Sequence, residues 1–169
     1  MKTVRIFTDG AARRNPGPGG FGVVLIFGSH RKELAGGFEK TTNNRMELMA
    51  VIAGLEALKV PCEVEVVSDS KYVIDALNKN WIGRWKANGW SRRPPGVLRN
   101  ADLWKRLDGA RSPHEVTWKW VRGHAGHQEN ERCDLLATTA ADSKDLPVDA
   151  GFLEERNGGT RQGDLTLGE

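Results

Sequence analysis

The chain has 169 residues, 38% hydrophobic and 28% charged, with a formal net charge of +3. That length supports one domain with a proper core, and the composition excludes a largely disordered or membrane-embedded class, with no apolar run near the roughly 20 residues of a span. Two cysteines, Cys62 and Cys133, supply no disulfide framework, and Met1-Lys2-Thr3-Val4 enters a strand pattern without a signal-peptide apolar stretch, so a cytoplasmic protein with reduced thiols is expected.

Residues 3–8 read as a first strand that closes on Asp9 and Gly10. Asn15-Pro16-Gly17-Pro18-Gly19-Gly20 reads as a loop. Val23-Val24-Leu25-Ile26-Phe27 is a continuous apolar run that predicts a buried strand. Gly28-Ser29-His30 predicts a hairpin turn, and residues 31–39 the returning strand, giving an antiparallel meander. Leu48, Val51, Ile52, Leu55 and Leu58 follow helical spacing over 44–58, with Asn44 as N-cap and Glu47 at the N3 position of a capping box. A strand over 64–68 closes on Asp69, and a helix follows from about 70 with Val73, Ile74 and Leu77 inward. This strand–helix succession argues for parallel pairing and an α/β class. A short helix near 81–87, a basic loop at 91–97 and a helix at about 100–110 come next. Residues 116–120 alternate as a strand, and a last helix covers 128–141 with Cys133, Leu136, Ala137 and Ala140 as its inner stripe.

Charge is unevenly distributed. Residues 79–106 carry eight bases against one acid, a net of +7, and four of the six tryptophans. Cations interleaved with Trp81, Trp85, Trp90 and Trp104 suit a polyanion with stacking faces, a nucleic acid above all. Trp90 and Trp104 are the two expected to form a small core of their own. Residues 142–169 carry seven acids against three bases and read as an acidic tail, whose Phe152, Leu153, Leu165 and Leu167 argue that it packs partly on the body.

Four carboxylates, Asp9, Glu47, Asp69 and Asp134, sit at the ends or edges of these elements. Each has an ordinary alternative: a turn residue, a capping box, a helix entry and a solvated helix position. Converged, they would repel unless a divalent cation neutralised them. Four oxygen-donor acids suit two Mg²⁺ ions that stabilise the attacking and leaving oxygens of a phosphodiester. His124, between Gly123 and Gly126, is a residue type that suits proton transfer. A zinc set of His124, His127, Cys62 and Cys133 matches no zinc spacing. Asn15, Thr42, Asn43 and Asn44 lie in loops beside two of the acids, where amides can read a ribose 2′-OH.

Thr8-Asp9-Gly10, Asn15 through Gly20, Thr41 through Leu48, Ser68-Asp69-Ser70 and Gly123 through Asp134 occur in an order that resembles bacterial ribonuclease HI, the type 1 ribonuclease H family. The resemblance covers about residues 2–141, so the expected organisation is a catalytic domain over 1–141 with a basic protrusion at about 81–100, followed by the tail at 142–169. It implies a five-stranded mixed sheet, its first three strands antiparallel, flanked by helices. It implies an endonuclease that cuts the RNA strand of RNA–DNA hybrids and leaves 5′-phosphate and 3′-hydroxyl ends. Asp9, Glu47, Asp69 and Asp134 would hold Mg²⁺, with Mn²⁺ as a substitute, and His124 would assist proton transfer or product release. Asn15, Asn43 and Asn44 would face the hybrid's minor groove. Thr42 and Asn100 would help form a DNA-phosphate pocket, and Tyr72, Trp81 and Trp85 would line the DNA channel. Arg92 and Arg93 belong to the protrusion, and a monomer is expected. Lys71 and Gln128 depart from the family's usual glutamine and proline. A non-catalytic binding module and a DNA-specific nuclease on the same fold are the rival classes; the intact acids oppose the first and the asparagine set the second.

Overall fold

The computed structural model describes residues 1–91, 96 and 98–157. Arg92, Arg93, Leu165 and Leu167 lie outside the described residues. Five strands, β1 (Lys2–Ala12), β2 (Gly17–Phe27), β3 (His30–Thr41), β4 (Cys62–Ser68) and β5 (Glu115–Trp120), form one sheet in the order β3-β2-β1-β4-β5. β1, β2 and β3 are antiparallel neighbours, and β4 runs parallel to both β1 and β5. Five helices follow or separate these strands: α1 (Asn43–Glu56), α2 (Lys71–Asn78), α3 (Trp81–Ala87), α4 (Ala101–Arg111) and α5 (Gln128–Ala141). Residues 150–157 add a C-terminal helical segment. No helix among the described residues is long and apolar enough to cross a membrane.

Alternation along β1 divides the core in two. Val4 and Ile6 join the large cluster under α1, α2 and α4, with Val64, Val66, Ile52 and the fully buried Trp104. Phe7 joins the smaller cluster under α5, with Val24, Val67, Val121 and Cys133. Each fully buried Val, Ile or Leu contributes about 1.5–3 kcal/mol relative to exposure. Trp104 therefore belongs to the main core, whereas Trp90 is half-buried against it.

Two local expectations are corrected. Residues 17–20 are not loop: β2 begins at Gly17, and Gly19 and Gly20 pair with both Phe38–Gly37 of β3 and Ala12–Ala11 of β1. These positions look like turn residues because they lack side chains, yet packing is what requires the glycines. A Cβ on Gly20 would meet the Ala137 carbonyl of α5, and one on Gly22 the Cys133 carbonyl. Bare backbone there lets α5 lie directly on the sheet. The N-cap of α1 is Thr42, whose Oγ1 accepts from Arg45 N at 3.2 Å, not Asn44. Glu47 is thus five residues into the helix and forms no capping box, because the cap sits two residues earlier than the apolar spacing indicates.

Residues 147–157 are fastened to the body by a buried cation. Arg45, 1% exposed, pairs with Asp102 at 2.7 Å and with Asp149 at 2.8 Å. Thr41 Oγ1 donates to Asp149 Oδ2 at 2.7 Å, and Glu39 N donates to the Pro147 carbonyl at 2.9 Å.

Candidate active site

β1 and β4 lie side by side in parallel, with Thr8 opposite Ser68. Asp9 and Asp69, each one residue further on, therefore stand together where that pairing ends. Asp9 is not the end of its strand: β1 continues to Ala12 as a ribbon with β2. α1 crosses this point closely, because a Cβ on Gly10 would strike the Met46 carbonyl carbon and Glu47 N. Only glycine admits that approach, and it brings Glu47 to the two aspartates. Carboxylate oxygens of Asp9, Glu47 and Asp69 all lie within 4.8 Å of one another.

The cluster is electrostatically frustrated. Burial, then repulsion from Asp69, pushes the Asp9 carboxyl up to about 8, against a hydrogen bond from Gly10 N. Burial raises Glu47 to about 7, opposed by the hydroxyl of Ser70, with Asp69 adding repulsion. Asp69 is raised as well, chiefly by burial, with His124 counteracting. Asp134 on α5 is half-buried and adds to the repulsion felt by Asp9 and Asp69; it approaches the trio without joining its tightest group. Half-buried carboxylates crowded in this way, with oxygen donors only, fit a hard divalent cation, which would return all of them to their ionised form.

The supporting contacts are specific. Ser70 caps α2 by accepting from Val73 N at 3.2 Å and donates its hydroxyl to Glu47 Oε2 at 2.5 Å. Trp120 Nε1 donates to the Asp69 carbonyl at 2.9 Å, and Lys71 Nζ sits 4.9 Å from the Trp120 ring centroid. His124 is exposed, with φ of 54°. A Cβ on the neighbouring Gly123 would lie 2.7 Å from Asp69 Oδ2, so that loop packs against the acid. His124, His127, Cys62 and Cys133 form no candidate metal group among the described residues. The Cys133 thiol is pushed up to about 12, first by burial, and bonds the Phe7 carbonyl. Such a thiol is no ligand.

The remaining expected positions surround the acids. Asn43 Oδ1 accepts from Ala12 N at 2.6 Å, and Asn15 Oδ1 from Asn43 N at 3.1 Å, which ties the 13–16 loop to the start of α1. One groove of about 460 Å³ is lined by Asn44, Tyr72, Trp81, Trp85, Arg99 and Asn100. The Trp85 and Trp104 rings meet at a tilt of 56°, 5.1 Å between centroids. Tyr72 OH receives both Trp104 Nε1 and Asn100 Nδ2, at 3.0 and 3.1 Å. An adjoining groove of about 520 Å³ holds Asn15, Thr42, Asn44, Asn100 and, from the C-terminal helix, Phe152 and Glu155. Arg45, Ser70, Trp120 and Glu155 were not singled out by sequence reasoning. Arg45 alone carried a signal, since it falls on the apolar face that Leu48, Met49 and Ile52 continue.

A mixed sheet with a carboxylate trio at the end of its central parallel pair defines a class of cation-binding α/β proteins. The RNase H family profile matches residues 1–142. The chain is 57% identical over 152 residues to a ribonuclease H of Syntrophus aciditrophicus, covering 90% of this chain and 88% of that one. It is 54% identical to a ribonuclease H of Shewanella amazonensis, covering 90% and 97%. Among solved structures, LC9-RNase H1, a type 1 RNase H, superimposes with a TM-score of 0.75 at 33% identity, covering 83% of this chain and 72% of that one. LC11-RNase H1, solved in complex with an RNA/DNA hybrid, gives 0.60 at 26% identity, covering 82% and 96%. The chain belongs to the RNase H family.

Proposed function

We propose that this protein is an endonuclease that hydrolyses the RNA strand of RNA–DNA hybrids, leaving 5′-phosphate and 3′-hydroxyl ends, and that it works as a cytoplasmic monomer. The observation that carries the reading is the trio of Asp9, Glu47 and Asp69, with oxygens within 4.8 Å of one another, in a protein of this family. Asp9, Glu47, Asp69 and Asp134 would hold two Mg²⁺ ions, with Mn²⁺ as a substitute. When bound, the ions supply charge neutralisation and a lowered pKa for the attacking water. Asp9, within β1 and hydrogen-bonded by the amide of Gly10, holds the central position. Ser70 fixes the rotamer of Glu47. His124, on its exposed loop beside Asp69, takes or returns a proton as product leaves.

The flanking residues position the duplex. Asn15, Asn43 and Asn44 present amides beside the acids for 2′-hydroxyl and base-edge contacts. Tyr72, Trp81 and Trp85 offer aromatic faces to the DNA strand. Thr42 and Asn100 offer donors to a DNA phosphate, and the basic segment, Arg92 and Arg93 included, neutralises further phosphates. The test is a strand-labelled RNA–DNA hybrid incubated with and without Mg²⁺, beside a DNA duplex of the same sequence. Mg²⁺-dependent cutting confined to the RNA strand is expected; cutting of the duplex, or none of the hybrid, overturns the reading.

A further inference from the structure

Asn100 ends the basic segment in the left-handed region, at φ of 61°, and its N–H points out of the start of α4. That N–H is already engaged. Both carboxylate oxygens of Glu155 accept it, at 3.0 and 3.2 Å, and Arg45 Nη1 stands 3.8 Å from Glu155 Oε2. Asn15, Thr42, Asn44 and Arg99 line the same groove. An anion thus sits where the functional reading above places a phosphate of the DNA strand.

We propose that Glu155 is a built-in competitor for that phosphate, so that the C-terminal helix sets how tightly the chain holds its hybrid; the proposal rests on the hybrid-cleaving function. A carboxylate and a phosphodiester ask the same thing of this pocket. Each offers two oxygens on one negative charge to an amide donor beside a cation. They cannot share the Asn100 N–H.

The contact is separable from the anchor of the segment. Asp149, 5% exposed, is held by Arg45 and Thr41 six residues earlier. Glu155 is 25% exposed at the groove's edge. Its side chain can therefore leave Asn100 while residues 147–149 stay fastened. Apparent affinity then falls by the fraction of molecules in which the carboxylate has withdrawn. Glu154, exposed on the same helix and absent from the groove lining, carries the same charge without the contact.

The experiment compares KM for a strand-labelled hybrid in the full chain and in Glu155→Gln, Glu155→Ala and Glu154→Gln. Removing the competing charge lowers KM roughly three- to tenfold in both Glu155 variants, while the Glu154 variant stays within about twofold, as a screened surface charge should. Replacing the DNA-strand phosphates with neutral methylphosphonates abolishes the gain, because the pocket no longer meets an anion. An unchanged or raised KM in both Glu155 variants overturns the proposal, as does an equal gain on the methylphosphonate hybrid. A parent chain that cuts no hybrid overturns the functional reading and this proposal together. A parent that cuts normally beside unaltered Glu155 variants overturns this proposal alone.

Discussion

The Ser70 hydroxyl donates to Glu47 Oε2 at 2.5 Å while its oxygen receives Val73 N at 3.2 Å. One side chain both starts α2 and aims an acid of α1, so helix formation and site geometry are coupled. Ser70→Ala removes both roles. Loss of the cap costs about 1 kcal/mol, read as a lower melting temperature. Glu47, deprived of the donor that holds its pKa down, shifts further upward, and hybrid cleavage falls roughly tenfold. Thermal melts and kcat measured on the same sample check the two effects separately.

Asp9→Asn keeps the shape of the central side chain and removes its charge. Cleavage is expected to vanish while hybrid binding persists, since phosphate contacts lie elsewhere in the grooves. Gel-shift and cleavage assays on one hybrid decide it; cutting at a rate comparable to the parent sinks the role given to Asp9.

The metal-free protein should lose stability as pH rises from about 4 to about 8. Asp9 moves from an ordinary 3.8 to about 8 on folding, and Glu47 from 4.5 to about 7. Across that window the folded state holds protons that the unfolded state has released, so stability is highest near the unfolded values and declines through the folded ones. Melting in a chelator therefore worsens toward about pH 8, and Mg²⁺ raises the melting temperature more there than at about pH 5. Asp9→Asn, with no charge to bury, melts higher than the parent at about pH 8 in chelator. An Mg²⁺ effect that ignores pH speaks against proton–metal competition.

Truncation after Ser143 removes Asp149 and leaves Arg45 buried with Asp102 as its remaining close partner. Breaking a buried pair costs about 3–5 kcal/mol. Denaturant midpoints of the truncated and full chains measure the loss, and Asp149→Ala alone should reproduce most of it.

Neutralising Arg92 and Arg93 together should weaken hybrid binding and flatten its salt dependence by up to about two released counterions. A plot of log affinity against log salt gives the slope, and an unaltered slope removes these arginines from the phosphate contacts.

Much of the fold was legible because its periodicities are strong. α3 and α5 begin and end where their spacing and breakers place them, at Trp81–Ala87 and Gln128–Ala141. What stayed hidden depends on neighbours distant in sequence. The strand character of Gly19 and Gly20 comes from pairing with β1 and β3, with α5 lying across Gly20, which no local propensity encodes. Arg45 as a buried cation depends on Asp102 and Asp149, far along the chain. Asp9, Glu47 and Asp69 could be named because the sequence reads them at the boundaries of strands and a helix, although Asp9 and Glu47 lie inside their elements; their mutual approach depends on Gly10, whose missing side chain admits α1.

Gly20 and Gly22 have a consequence for the fourth acid. Asp134 follows Cys133 directly, and the Cys133 carbonyl is what a methyl group on Gly22 would strike. Two absent methyls on a strand thus act as a gauge block for a carboxylate on a helix. A single carbon added at Gly22 would lift Asp134 off the trio while leaving every acid in the chain intact. Such a lesion would mimic a catalytic knockout, yet inspection of the acids alone would pronounce the protein sound.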